Sequence, residues 1–206
     1  MVEGGGLENR FPVIRNGGSN PSPSATIAFL RGINVGGHHK IPMPALRKAF
    51  EAMGFKNVRT VLASGNVVFE PTGKKAEDLE GTIARGLAGA FGFPVPVLLR
   101  SMRELAALVA ADPFNGLAPG TDTKFYVTFH PRDRPRASKA RLPAPPQGVR
   151  IVSVRPGEVC SAVALSGGPG TPELMAFLEK WLGRDVTTRN WQTVTKLATG
   201  PVEHRE

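Results

Sequence analysis

The sequence predicts an α+β protein of two ferredoxin-like halves, each with the element order βαββαβ, in tandem with a connecting helix. Strand-type and helix-type apolar patterns follow one another in that order between residues 25 and 100. A similar order returns later in the chain, although no residue-level self-similarity between the halves is visible. We therefore predict a first half at 25–100, a connecting helix and loop at 101–122, and a second half at 123–200.

Apolar patterns define the elements of the first half in order. Residues 26–30 form a short apolar run that suits a buried strand, and residues 43–53 repeat apolar side chains at helical spacing. Two β-rich runs at 58–63 and 67–69 are separated by a Ser-Gly-Asn triplet, which favours a hairpin. A second helical pattern over 79–91 ends at a glycine, which is the usual residue after a helix.

The last strand of this half is predicted to lie at a sheet edge. Pro94 and Pro96 interrupt its alternating apolar residues, and proline cannot donate a hydrogen bond to a neighbouring strand. In the ferredoxin-like order this strand is an edge strand, so the two observations agree. Directly after it, Ser101 and Glu104 have the spacing of a capping box and predict the start of the connecting helix.

The second half repeats this order but lacks a clear pattern for its first helix. The predicted elements are a strand at 125–129, a hairpin of 149–154 and 159–165, a helix from Pro172 to Gly183, and a strand at 186–188. Thr171 is predicted to cap that helix. Asn190 is the predicted N-cap of a final helix that includes Val194 and Leu197.

Composition restricts the class of protein. The one cysteine, Cys160, excludes an internal disulfide and a multi-cysteine zinc site, and the neighbouring His38 and His39 point apart on most backbones. No apolar run approaches the roughly 20 residues that span a bilayer. Residues 1–24 have neither a signal-peptide pattern nor apolar periodicity. We expect a disordered tail at 1–24, a short tail at 201–206, a cytoplasmic location, no membrane partner and no metal site.

The charge is unevenly distributed. The chain has 26 Lys and Arg residues against 17 Asp and Glu residues, a net charge of +9. Much of this excess lies in the proline-rich stretch 131–150, which contains six basic residues and one acidic residue. An excess of positive charge attracts anionic partners such as nucleic acid, but a stretch of this composition is typical of a solvated surface loop.

Three segments are polar where packing does not require polarity. The first, LRGINVGGHHK, covers residues 30–40; the second, ASGNV, covers 63–67; and the third, TTRNWQTVTKL, covers 187–197. Each segment follows or joins predicted strands, where functional groups of sheet proteins commonly collect. These segments are the candidate functional part of the sequence.

The same segments resemble the signature runs of the uncharacterised bacterial domain-of-unknown-function family 1697. The matching runs are LRGINVGG, SGNV and a late TTRNWxTVxKL, in that order, and the resemblance extends over about residues 26–197. It implies an α+β fold of two related ferredoxin-like halves, and it brings no activity with it. One departure is the stretch 160–168, which is plain and apolar here whereas the family often has a more polar and aromatic sequence.

The first segment has the composition of an anion-binding loop. Glycines between 32 and 37 allow backbone N–H groups to approach an anion, and Arg31 and Lys40 bracket the loop with positive charge. The spacing matches neither GxGxxG nor the Walker pattern. The alternative is a loop that only turns the chain between strand and helix.

The other two segments leave similar alternatives open. Ser64 is interpreted as a turn former, because no base is associated with it, and Asn66 either tolerates a left-handed backbone or presents its amide to a ligand. Arg189 beside the helix start at Asn190 suits an anion site. In the alternative, Arg189 pairs with a carboxylate or a main-chain carbonyl and Trp191 belongs to the core.

We predict that the three segments assemble one site for a phosphorylated or otherwise anionic small molecule. The candidate ligand-binding residues are Arg31, Gly32, Asn34, Gly36, Gly37, Lys40, Ser64, Asn66, Arg189, Asn190 and Lys196. Arg31 and Arg189 are predicted to converge, which requires an anion or a carboxylate between them. The sequence does not say which cofactor, if any, the protein uses, or whether it catalyses a reaction.

Two other functions fit the sequence. An RNA-binding module would use the basic stretch 131–150, although the chain has few aromatic residues and no RNP-type run. An interaction protein would need the three segments only to hold the two halves together.

Overall fold

The computed structural model describes residues 24–37, 39–72, 78–117, 122–133, 142–165 and 170–199. The predicted tail at 201–206, all but the last residue of the tail at 1–24, and residues 134–141 of the basic stretch lie outside the described residues.

Eight strands and five helices are present in the described residues. The strands are β1 (Thr26–Leu30), β2 (Lys56–Val61), β3 (Asn66–Glu70), β4 (Val97–Ser101), β5 (Thr123–Phe129), β6 (Val149–Arg155), β7 (Glu158–Ala164) and β8 (Thr187–Asn190). The helices are α1 (Met43–Ala52), α2 (Leu79–Phe91), α3 (Met102–Ala110), α4 (Gly170–Leu182) and α5 (Trp191–Thr199). None of these helices is both long enough and apolar enough to cross a membrane.

The strands form two four-stranded antiparallel sheets. The first has the order β2-β3-β1-β4 and the second the order β6-β7-β5-β8, and every neighbouring pair is antiparallel. The prediction of a mixed α+β fold is confirmed. The two sheets have the same order relative to the first strand of each half, and β4 lies at an edge, as its neighbouring prolines predict.

Most differences from the predicted elements are at their ends. The strand β4 begins at Val97 rather than Val95, and β2 covers Lys56–Val61 rather than 58–63. Helix α4 begins at Gly170, so Thr171 lies inside its first turn and not before it. The Thr171 hydroxyl lies 2.8 Å from the Tyr126 hydroxyl on β5, a tertiary contact that local sequence does not show.

In each half a helix starts directly after the last strand, α3 after β4 and α5 after β8, and both helix starts are capped as predicted. At α3 the Ser101 hydroxyl accepts a hydrogen bond from the Glu104 amide, and the Glu104 carboxylate accepts one from the Ser101 amide at 2.8 Å. At α5 the Asn190 side chain accepts a hydrogen bond from the Thr193 amide at 2.7 Å. The two helices occupy equivalent places in their halves and pack against each other.

The buried apolar residues form three clusters around the two sheets. One lies between the first sheet and α1 and α2, and another lies between the second sheet and α4. The third lies between the inner faces of the two sheets and includes residues of α3 and α5. At its centre the rings of Phe29 and Phe129 stack with centroids 4.2 Å apart. Because the two halves share this central core, burial of apolar surface stabilises them against each other.

Candidate functional site

Arg189 joins the three polar segments through hydrogen bonds. It lies on β8 opposite Val127, so its side chain points to the inner face of the second sheet. Its Nε donates to Asn66 Oδ1 at 2.6 Å, and its Nη2 donates to the Leu30 carbonyl at 2.7 Å. Its Nη1 donates to the Thr187 hydroxyl at 2.8 Å. Arg189 of the second half therefore holds the end of β1 and the hairpin of the first half.

The Arg189 guanidinium is a buried cation surrounded by neutral oxygen atoms. Burial lowers its pKa to about 10, which leaves the group charged at neutral pH. The hydrogen-bond acceptors and the face of Phe29, 5.6 Å from the guanidinium carbon, replace the lost water. Of the partners that the sequence left open for Arg189, the described residues supply main-chain carbonyls and no carboxylate.

Asn66 and Ser64 complete the hairpin side of this network. The Asn66 side chain is fully buried, and its amide donates to the Val61 carbonyl at 2.8 Å and to the Ser64 hydroxyl at 3.0 Å. Its carbonyl oxygen is the acceptor for Arg189. Through these hydrogen bonds the side chains of Ser64 and Asn66 hold the hairpin turn in shape.

A second buried arginine, Arg100 on β4, makes the same kind of contact in the opposite direction. Its Nη2 donates to the His130 carbonyl at 2.6 Å and also to the Gly157 carbonyl, and its guanidinium carbon lies 5.5 Å from the centre of the Phe129 ring. Burial, and then the charge of Arg132, lower its pKa. The equivalent pairs are Arg189 and Arg100, Leu30 and His130, Gly65 and Gly157, and Phe29 and Phe129. We call these two arrangements the arginine clasps.

Each clasp depends on a glycine in a hairpin turn. Gly65 and Gly157 have φ angles of 80° and 91°, in the left-handed region that favours glycine. A Cβ atom on Gly157 would lie 2.8 Å from Nη2 of Arg100, and one on Gly65 would lie 2.9 Å from the Ile33 side chain. Glycine at these turns therefore gives both the backbone conformation and the close approach.

Arg31 has a different partner. Its Nη2 lies 2.6 Å from Oε1 of Glu179 on α4, and about a third of each side chain is exposed. Both Arg31 and Thr187 line a cavity of 310 Å³ between the halves. Arg31 and Arg189 thus lie at the same junction, because Arg189 binds the carbonyl just before Arg31, but their guanidinium groups bind different protein partners.

The loop after β1 has an unusual backbone that Asn34 holds in place. Its side-chain amide donates to the carbonyls of Ile41 and Ala63 at 3.1 and 2.9 Å, and its carbonyl oxygen accepts from the Ile41 amide at 2.8 Å. These bonds close the loop and fix it to the hairpin. Val35, next to Asn34, is 69% exposed.

An open cavity of 410 Å³ lies where this loop meets α1. Asn34, Gly37, Lys40 and Ala63 are among its lining residues, together with the N-cap residue Pro42. No side chain caps the start of α1, and its first turn has no acidic residue. The positive end of the helix dipole and the exposed Lys40 therefore act on the same space.

The last two candidate residues lie elsewhere. Asn190 borders a cavity of 510 Å³ with Phe114, Lys124 and Trp191. Lys196 borders a smaller cavity with Arg59. The structure therefore divides the eleven candidates among the clasp of Arg189, the loop, the ion pair of Arg31 with Glu179, and these two separate places. His39 is exposed and stacks on Phe93, His38 is outside the described residues, and the described residues hold no cluster of three metal-ligating side chains.

Comparison with known proteins identifies the family. The profile described as "Protein of unknown function (DUF1697)" matches residues 24–159, from the start of β1 into β7. The chain belongs to the DUF1697 family. No curated protein matches its sequence.

The DUF1697 chain also resembles a solved structure. The conserved bacterial protein SP0830 from Streptococcus pneumoniae superposes with a TM-score of 0.68 at 21% sequence identity. The match covers 85% of this chain and 96% of that chain. At this identity the likeness shows a shared fold.

Arg100, His130 and Gly157 are the residues of the DUF1697 junction that sequence reasoning missed. One signal was present: Arg100 is the only charged residue in the strand VLLRS, and Ile27 opposite it on β1 points to the central core. A charge at an inward position of a strand requires buried partners. The partners themselves are 30 and 57 positions away, so local sequence does not indicate them.

Cys160 gives this DUF1697 chain a pH-dependent stability. The thiol is fully buried in the central core, and desolvation by burial raises its pKa to about 11. In the unfolded chain it ionises near its ordinary pKa of about 8.5. The protonated thiol of the folded state therefore contributes stability that is complete below that pH and is lost as pH rises toward 11.

We expect the free energy of unfolding to fall by about 2 kcal/mol more in the native chain than in Cys160→Ala between pH 8 and pH 10.5. Urea denaturation of both proteins at the two pH values measures this difference. The comparison removes the effect of tyrosine and lysine ionisation, which the two proteins share. Equal losses in the two proteins would show that the thiol stays protonated in both states or ionises freely in both.

Proposed function

We propose that this DUF1697 protein binds a phosphorylated or other anionic small molecule at the loop 32–40 and the adjoining start of α1. The supporting observation is the backbone of the loop. The φ angles of Gly32, Asn34 and Gly36 are 71°, 57° and 62°, whereas Ile33 and Val35 between them are not left-handed. Alternation of hand along a chain turns successive N–H groups toward one concave side and forms an anion-binding nest.

Charge around the nest supports an anionic ligand. Lys40 is exposed beside the cavity, and the start of α1 supplies the positive end of a helix dipole without a side-chain cap. Gly36 and Gly37 have open space around them, since a Cβ on either would meet nothing within 4 Å. A ligand therefore has access to the backbone at these glycines.

The other motif residues support this loop in the proposal. Asn34 closes it, and the clasp of Arg189 with Asn66 holds the hairpin that carries Ala63, the second anchor of Asn34. The ligand would contact the backbone of Gly32, Gly36 and Gly37 and the ammonium group of Lys40. The ligand would not contact Arg31, Ser64, Asn66 or Arg189, which would support the loop indirectly. It would also not contact Asn190 or Lys196, which lie at other cavities.

Two coarser expectations belong to the same proposal. We propose that each half has the ferredoxin-like arrangement, which the shared strand order of the two sheets supports. We also keep the prediction of a cytoplasmic protein, which rests on the single cysteine. RNA binding through the stretch 131–150 stays an alternative, and most of its basic residues lie outside the described part of the chain.

A second candidate function has its own supporting observation. The side chains of Asn34, Asn66 and Arg189 all bind protein groups, as expected of an interaction protein whose motifs only hold the halves together. On that account the loop binds no small anion. The following experiment distinguishes the two candidates.

We expect inorganic phosphate, a nucleotide or a sugar phosphate to raise the melting temperature of the purified chain in a thermal-shift screen. A ligand at 100 times its Kd adds about 2.7 kcal/mol to the stability. Lys40→Ala should remove most of the shift, because Lys40 is the one lysine among the described residues that line the cavity. Lys56→Ala, which removes another exposed lysine, from β2, should retain it.

The screen also includes a short RNA. No shift with any compound at millimolar concentration would contradict the anion site and favour the interaction protein. A shift with RNA alone, equal in both lysine variants, would favour the nucleic-acid alternative.

A further inference from the structure

A groove between the edge strand β2 and helix α5 lies outside the proposed anion loop. Arg59, Thr60, Val61 and Leu62 form one side of it, and Lys196 and Leu197 of α5 form the other. The enclosed volume is 210 Å³. We call it the β2–α5 groove.

Arg59 in this groove is a partly buried cation that has no counterion among the described residues. Burial alone lowers its pKa, and within the described ranges no carboxylate or hydrogen-bond acceptor contacts its side chain. Arg59 lies opposite Val68, whose side chain belongs to the central core, so the guanidinium is on the inner face of the sheet. Lys196 adds a second positive charge across the groove. Two cations in one groove attract an anionic group.

The backbone of β2 is open beside these charges. In the described residues β2 pairs only with β3, so its outer edge carries no neighbouring strand. The register is irregular between Lys56 and Arg59 and regular from Arg59 to Val61. An extended peptide can therefore pair with the regular part, as it does where peptides add a strand to a sheet edge.

Apart from Thr60, the remaining lining residues are apolar and aliphatic. Val61 packs on the edge of the central core, Leu62 is 48% exposed, and Leu197 belongs to that core. None of the described residues that line the groove is aromatic. Single-stranded RNA needs aromatic platforms for its bases, whereas a peptide strand places aliphatic side chains on such a surface.

We infer that the β2–α5 groove binds an acidic peptide segment of a partner protein in extended conformation, as an added strand beside β2. On the face of that strand that points toward α5, a carboxylate pairs with Arg59 and Lys196, and an apolar side chain two residues along contacts Val61 and Leu197. The inference does not depend on the anion loop, because Lys40 and the nest glycines do not line this groove.

Fluorescence polarisation tests the inference on the full chain with a labelled eight-residue peptide in which glutamate and valine alternate at every second position and threonine fills the positions between them. We expect saturable binding that weakens at least about tenfold in the double variant Arg59→Gln, Lys196→Gln, because two charge-assisted contacts are lost. The matched control is Arg103→Gln, Lys180→Gln, which removes the same charge from the exposed faces of α3 and α4 and should bind within about twofold of the native chain.

Changes in the peptide test the same contacts without any change in the protein. Replacing glutamate by glutamine, or methylating every second backbone nitrogen, should each weaken binding at least about tenfold, since the first removes charge and the second removes strand pairing. Retained affinity after N-methylation would overturn the added strand. Equal binding by the two double variants, or tighter binding of a uridine octamer than of the peptide, would overturn the acidic partner.

Discussion

Replacement of Arg189 by alanine should lower the free energy of unfolding by about 3 to 5 kcal/mol, which is a large part of the stability of an ordinary domain. The substitution removes a side chain that donates to Asn66, Leu30 and Thr187 and that covers the ring of Phe29. Buried acceptors that lose their donor keep the full cost of desolvation, which is about 1 to 3 kcal/mol for each group. Urea denaturation of the native chain and the variant measures the difference.

Two further variants separate the geometry of the guanidinium from its charge. Arg189→Lys keeps the charge but loses the planar fork of donors, so we expect it to lose at least half as much stability as alanine does. Arg184→Ala, at an exposed position just before β8, should change stability by less than about 0.5 kcal/mol. If Arg189→Ala proved as stable as the native chain, the clasp would not hold the halves together, and Arg189 would be better explained as a ligand-binding residue.

Replacement of Phe29 by alanine should destabilise the chain by about 3 to 5 kcal/mol as well. Its side chain is fully buried between the sheets, stacks on Phe129 and lies under Arg189. The change leaves a cavity and removes an aromatic pair, which itself contributes about 0.5 to 1.5 kcal/mol. The same urea experiment measures the loss, and Phe91→Ala at a half-buried position of α2 should cost less.

The shape of the Phe29→Ala transition is as informative as its midpoint. Because the central core contains residues of both halves, we expect a single transition in fluorescence and circular dichroism. Two separated transitions, with one half still folded after the first, would show that the halves are stable without each other.

Local chemistry explains why much of the fold could be predicted from the sequence. The helix over 79–91 has the predicted bounds, because apolar periodicity and Gly92, with φ at 78°, mark its face and its end. The capping box at Ser101 and the cap at Asn190 each need residues no more than three positions apart. Such signals are contained in short windows of sequence.

The relation between the halves is not contained in any short window. Arg100 and Arg189 are equivalent because each lies at an inward position of the last strand of its half and reaches the first strand and the hairpin of the other half. The residues that they bind differ in type, as Leu30 and His130 do, because main-chain carbonyls are the acceptors. A contact made to backbone leaves little trace in residue identity, so the halves look unrelated in sequence.

The division of the candidate site has a similar cause. The sequence predicts Asn34, Asn66 and Arg189 as ligand-binding residues, whereas in the structure their side chains form hydrogen bonds with other groups of the protein, mostly main-chain carbonyls. Lys196 follows Asn190 by six positions, so it lies in the last turn of α5. It therefore borders a different cavity from the one that Asn190 borders at the start of the helix. Only the packed structure shows which polar residues face a cavity and which face the protein.

The two arginine clasps make the junction isologous. Each half presents a buried arginine and a set of main-chain carbonyl acceptors to the other, as the subunits of a two-fold homodimer do. Inside one chain this self-complementarity makes the stability of each half depend on the presence of the other. A half that came free of its partner would expose both a buried cation and the acceptors that match it, and the equivalent half of a second chain would satisfy them equally well. The segment between α3 and β5 tethers the two halves of one chain. Their effective concentration toward each other therefore exceeds that of a half from a second chain, which favours closure within one chain over an exchanged dimer.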